Sequence, residues 1–198
     1  AAAPIRNGEY HLDRSERNTP SNNQRERLLE KALWKKYKLT QYEQDAATLS
    51  SLCPSIITFQ MPLQGRQTDR SWGKVDLVGI SADKLPVVCE LKREQATDTP
   101  LRILVEGLAY AVALRRAWNE GRLWQEWKKA MKEHYKGYSA PKTLLEVPII
   151  GIAPDEFWKR KTGNGGKRLK GQVFKNAWKP FHLLCDACSE RGFPVSFL

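Results

Sequence analysis

Two short runs rich in β-branched and other apolar residues, GKVDLVGIS at 73–81 and PVVCELK at 86–92, are separated only by ADKL. Such runs read as strands, and a four-residue link suits a hairpin. The rest of the chain is read outward from this pair. Upstream, SIITFQM at 55–61 reads as a strand closed by Pro62, with a loop rich in Gln, Gly and Arg at 64–71. Further upstream, Ser21 or Asn22 can cap a helix running to about residue 38, with Leu29, Leu33 and Tyr37 at helical spacing. Downstream, Thr99 followed by Pro100 marks a helix start. That helix reaches about residue 119, and Gly121 ends it. Leu101, Leu104, Leu108 and Val112 form one apolar stripe on it, and Ile103, Tyr110 and Leu114 part of another, so burial on more than one side is expected. A basic helix at 122–135, a buried strand at 147–152, a helical turn at 155–161, a glycine-rich basic loop at 162–171, a helix at 172–191 and a terminal strand at 194–198 follow. Helix, three strands, helix, strand, with helical additions, predicts an α/β fold with a mixed central sheet.

A length of 198 residues favours one domain. Residues 1–20 are polar and broken by Pro4, Gly8 and Pro20, so they read as a flexible arm. Residues 21–198 read as one domain, with its core at about 22–152 and a basic helical extension at about 122–198. No apolar run approaches the ~18 residues of a membrane span. Residues 1–27 lack the apolar centre of a secretory signal, and four cysteines do not make a disulfide scaffold. A cytoplasmic location is therefore expected. His182, Cys185 and Cys188 share zinc-like spacing but fall within one predicted helix without a fourth ligand, so the two thiols read as core residues.

The net charge of +11 is uneven. Residues 122–180 hold fourteen basic and five acidic side chains, whereas residues 40–121 hold nine and ten. A positive field concentrated in one stretch points to a polyanion, most often nucleic acid. Trp124, Trp127, Tyr135, Tyr138, Trp158 and Trp178 sit among these lysines, where aromatic faces can stack on bases while Lys and Arg contact phosphates. Lys128, Lys129, Lys132, Lys167, Arg168 and Lys170 are the expected backbone grip.

The chemistry is concentrated in Asp76, Glu90 and Lys92. Side chains two apart on a strand share a face, so Val88, Glu90 and Lys92 point one way. Asp76 lies mid-strand between Val75 and Leu77, where a carboxylate is costly unless paired or metal-bound. In a hairpin, Asp76 and Glu90 can converge, and carboxylate oxygens suit a hard cation such as magnesium, with manganese able to substitute. A lysine beside them can position or deprotonate water, and low dielectric and a cation would help lower its pKa. This combination fits phosphodiester hydrolysis.

The arrangement GKVDLVGISADKLPVVCELK, an Asp fourteen residues before an E-x-K, resembles the PD-(D/E)XK nuclease superfamily. It is similar within that group to archaeal Holliday-junction resolvases and restriction-type endonucleases. Val75 stands where the family name has Pro. The resemblance implies a restriction-endonuclease-like αβββαβ core and a magnesium-dependent DNA nuclease, an endonuclease of a recombination, transposition or defence system. Asp76, Glu90 and the Leu91 carbonyl would hold the cation and Lys92 would align or activate water. A helix glutamate would join them, Glu26 being preferred to Glu30 because the helical wheel puts Glu26 between Leu29 and Tyr37. Family members often carry Gln-x-x-x-Tyr on the next helix; here Glu106 replaces Gln ahead of Tyr110. DNA is the expected partner, and a homodimer or a place in a larger assembly is compatible. The alternative is a non-catalytic nucleic-acid-binding or docking subunit that keeps the fold.

Overall fold

A computed structural model of the protein describes residues 25–39, 48–63, 73–94, 96–162 and 171–198, together with Arg6, Glu9, Tyr10 and Leu12. The elements run α1 (Arg25–Tyr37), β1 (Ser55–Pro62), β2 (Lys74–Ile80), β3 (Pro86–Leu91), α2 (Pro100–Asn119), α3 (Arg122–His134), β4 (Ile149–Ile152), α4 (Asp155–Thr162), α5 (Gly171–Ser189) and β5 (Val195–Phe197). The five strands form one sheet in the order β1-β2-β3-β4-β5. The first three are antiparallel neighbours, and β4 and β5 join in parallel, so the sheet is mixed and the fold α/β, as expected.

The hairpin turn is tied by its own serine. Ser81 N–H donates to Leu85 O at 2.8 Å, Ser81 O accepts from Lys84 N–H at 2.9 Å, and Ser81 Oγ accepts from Leu85 N–H at 3.1 Å. Lys84 takes the left-handed conformation, with φ of 63°, that so short a reversal needs. Thr99 caps α2, accepting from Arg102 N–H, and Pro100 occupies the first turn.

Helices cover both faces of the sheet. Trp34 of α1 packs with Ile56, Phe59, Leu77, Val87, Cys89 and Ile150 on one face. On the other, Leu104, Ala111 and Leu114 of α2 and Leu123, Trp127 and Met131 of α3 join Val78, Ile80, Val88 and Ile149. Helix α2 approaches the sheet closely at Gly107, where a Cβ would stand 2.5 Å from Ile149. Its buried stripe differs from the expected one. Ile103, Leu104, Gly107, Ala111, Leu114 and Trp118 face inward, while Leu101 and Val112 are exposed. Small residues let the helix sit close to the sheet, and a reading based on large apolar residues does not register them.

Of the expected arm, residues 1–20, four residues are described; among them Tyr10 and Leu12 are buried in the core, and Tyr10 N–H donates to the Glu126 carboxylate of α3 at 2.9 Å. The aromatics among the lysines are spent on packing. Trp127 is fully buried and its indole N–H donates to Lys84 O at 2.9 Å. Trp124 packs against the same core, and Trp158 lies edge-on against Phe157 and Phe197. The Trp178 side chain lies outside the described residues.

Candidate active site

The strand register brings the charged residues to one line. β2 and β3 pair Leu77 with Cys89, and one step further sets Asp76 opposite Glu90. β1 and β2 pair Phe59 with Leu77 and Met61 with Val75, which puts Gln60 opposite Asp76. β3 and β4 pair Glu90 with Gly151. Gln60, Asp76, Glu90 and Gly151 thus form a row across the sheet, near the end remote from the β2–β3 hairpin turn. Asp76 Oδ2 accepts from Leu91 N–H at 3.0 Å, which fixes the carboxylate. The N–H and C=O of one strand residue project to the same edge, so the Leu91 carbonyl also lies on the β2 side.

Lys92 is held between two acids. Its Nζ donates to Glu90 Oε1 at 2.6 Å and to Glu106 Oε2 at 2.9 Å. Glu106 Oε1 accepts in turn from Arg102 Nε at 2.8 Å. Glu90 is 2% exposed, and its Oε2 is buried with no donor among the described residues. Asp76 and Glu106 also lie within hydrogen-bonding reach of the Glu90 carboxyl, an acid–acid contact that needs a shared proton or, in its place, a cation.

The site's electrostatics follow from burial and crowding. Burial raises the Asp76 carboxyl to about 6, against the opposing pull of the Leu91 N–H and Lys92. Burial and then Asp76 push Glu90 well above the ordinary carboxylate range. Glu30, 1% exposed, is raised to about 8 by burial and by Asp76, although Gln60 Nε2 donates to its Oε2 at 2.6 Å. Burial raises Tyr110 as well, with Glu90, Asp76 and Glu106 adding to it, so the phenol faces the same cluster. Burial alone would lower Lys92, but Glu90 and Glu106 outweigh it and raise its pKa. Burial thus does not lower the Lys92 pKa in the metal-free protein: between Glu90 and Glu106, Lys92 is an ammonium ion.

The inward face of α1 differs from the one the helical wheel gave. Glu30 is the buried one, whereas Glu26 is half-exposed. The wheel set Glu26 between Leu29 and Tyr37, yet both are only half-buried; the residue that fixes the inward face is Trp34, and Glu30 lies one turn before it. Glu26 remains within electrostatic reach of Asp76 and Glu30. Sequence reasoning did not single out Gln60. It adopts a left-handed φ of 52° within a strand, a strained state for a non-glycine residue. Only its position opposite Asp76 could have drawn attention to it.

The proposed nucleic-acid grip divides. Lys128, Lys129 and Lys132 lie on α3, which packs on the hairpin turn: Trp127 N–H and Tyr138 O–H both donate to Lys84 O. Pro86 follows that turn, and the four residues from it to Glu90 span about 13 Å, so these lysines belong to the opposite end of the sheet. Lys128 Nζ lies 4.8 Å from the Trp124 ring centre. Lys167, Arg168 and Lys170 lie outside the described residues. Helix α4, which leads toward them in sequence, begins just beyond the β4 end that is aligned with Leu91. Of the zinc-like trio, Cys185 and Cys188 are buried in the core and His182 is exposed.

Among the described residues, no three His, Cys, Asp or Glu side chains form a group that could hold a metal ion. The donors at hand are the Asp76 and Glu90 carboxylates and the Leu91 carbonyl, all oxygen. This set suits magnesium, which keeps several waters and takes one or two carboxylates. The unpartnered Glu90 oxygen, and the rise that burial and Asp76 impose on Glu90, fit the same cation. No family model, no curated protein and no solved structure matches the chain.

Proposed function

We propose that the chain is a divalent-metal-dependent DNA nuclease built on a restriction-endonuclease-like αβββαβ core. The observation that carries this reading is the apposition of Asp76 and Glu90 across the hairpin, with Lys92 two residues on, clamped beside them. Asp76, Glu90 and the Leu91 carbonyl would hold magnesium or manganese, with Glu30 or Glu26 behind Asp76. A bound divalent cation supplies neutralisation of phosphate charge and a more acidic water.

The protein's own residues supply the rest. The Leu91 N–H fixes one Asp76 oxygen. Lys92, being an ammonium ion, donates to water or to a phosphate oxygen and offsets charge that builds on the phosphate in the transition state. A water oxygen bonds to phosphorus as the bond to the 3′ oxygen breaks, giving a 3′-hydroxyl and a 5′-phosphate. The cytoplasm, where thiols stay reduced, suits four free cysteines.

The test is incubation of the purified protein with supercoiled, linear, branched and single-stranded DNA and with RNA, with and without magnesium. Magnesium-dependent DNA cleavage that Asp76→Ala and Glu90→Ala abolish is expected. Binding without cleavage in either magnesium or manganese would favour the docking-subunit alternative.

A further inference from the structure

We propose that Glu106 is the positioning residue for Lys92, holding its ammonium group from the α2 side and braced in turn by Arg102 and Asp98. This inference rests on the nuclease reading, because it gives Glu106 a part in that site. An ammonium group has three N–H donors. Lys92 gives one to Glu90 and one to Glu106, which leaves one for a water or a substrate oxygen.

Behind Glu106 the ionic chain continues outward. Arg102 Nε donates to Glu106 Oε1 at 2.8 Å, and Arg102 Nη1 lies 3.0 Å from Asp98 Oδ1. Charges alternate from Glu90 through Lys92, Glu106 and Arg102 to Asp98. Side-chain exposure rises from 3% at Glu90 to 25% at Glu106 and 62% at Arg102. Arg102 and Glu106 are one turn apart on α2, whose first turn is fixed by the Thr99 cap, so this brace stands on rigid backbone.

Two carboxylates on one lysine have different parts. Glu90 also carries the oxygen that has no donor among the described residues, and a cation bound there would compete with Lys92 for its charge. Glu106 has its other oxygen engaged by Arg102 and stays with Lys92. A carboxylate at 106 repels phosphate, so a direct substrate contact is the poorer assignment. Its effect on the reaction runs through Lys92.

The experiment compares Glu106→Ala, Glu106→Gln and Arg102→Ala with wild type. It measures single-turnover cleavage in magnesium, DNA affinity in calcium, melting temperature, and the NMR signal of the Lys92 ammonium in metal-free protein. Glu106→Ala is expected to slow cleavage by about 10- to 100-fold, the range for removing a group that orients a site residue. DNA affinity and melting temperature should hold, and the ammonium signal should broaden as its hydrogen bond to Glu106 is lost. Glu106→Gln still accepts from Lys92 and should recover most of the rate, with Arg102→Ala in between. Wild-type rates in Glu106→Ala, or a loss of calcium-state affinity equal to the loss of rate, would overturn the inference alone. If wild type cuts no nucleic acid, the nuclease reading falls and this inference falls with it.

Discussion

The two ends of the central sheet are built on opposite terms. At the hairpin end, polar groups are matched: the Lys84 carbonyl takes both the Trp127 indole and the Tyr138 hydroxyl, and Ser81 ties the turn. At the other end, Asp76, Glu90 and Glu30 are buried acids with raised pKa, Asp76 adding to the rise at Glu90 and Glu30, and one Glu90 oxygen has no donor among the described residues. One end holds the fold together. The other gathers buried acids whose ionised forms are disfavoured until a cation offsets them, at some cost to the stability of the metal-free protein. Substitutions at the two ends should therefore move stability in opposite directions.

The largest stability effect belongs to the hairpin end. Trp127→Ala removes a fully buried indole and its hydrogen bond, and should cost about 3–5 kcal/mol in urea denaturation. A loss under ~1 kcal/mol would mean that α3 is not part of the stabilising core.

The second effect is pH-dependent. Glu30 titrates near 8 in the folded protein against an ordinary 4.5, and Asp76 near 6 against 3.8. A raised carboxyl binds its proton more tightly when folded. Its contribution is therefore fully present below the unfolded value and is lost as pH rises through the folded one. Metal-free protein should lose on the order of a few kcal/mol between pH 5 and pH 8. Glu30→Gln, which can still meet Gln60, should flatten that decline. Equal slopes for wild type and variant in chelator would remove Glu30 from the cluster.

Smaller still is the effect of Asp76→Asn, which keeps an acceptor for the Leu91 N–H and removes the charge. Metal-free stability at neutral pH should rise by about 1–2 kcal/mol while cleavage is lost. The smallest effect concerns the basic side chains. Neutralising Lys167, Arg168 and Lys170 should flatten the slope of log DNA affinity against log salt by up to about 2.7, taking ~0.9 per phosphate contact. Neutralising Lys128, Lys129 and Lys132 at the hairpin end should flatten it less. The reverse ranking, measured in calcium, would move the DNA path to the α3 face.

What was legible in the sequence follows the same division. Strand alternation and a four-residue link are enough to set Asp76 against Glu90 and to put Lys92 on the Glu90 face, because period and register are local. The choice between Glu26 and Glu30 was not legible, since α1 is oriented by Trp34 packing on Phe59, a tertiary contact. The Lys-rich helix α3 looked like a stacking surface because sequence does not say which way Trp127 turns. Docking of Tyr10 on α3 spans more than a hundred residues and has no local signature. The strained backbone of Gln60 likewise depends on its neighbours in the sheet.

The central claim is that the carboxylate end is destabilised until it holds a cation. Melting temperatures of wild type and Asp76→Asn, each in chelator and in saturating magnesium, test it most directly. Wild type should melt lower than the variant in chelator and rise with magnesium, by the equivalent of about 2.7 kcal/mol at a hundred times the dissociation constant, while the variant shifts little. An equal magnesium shift in both proteins, or none in wild type, would contradict the claim.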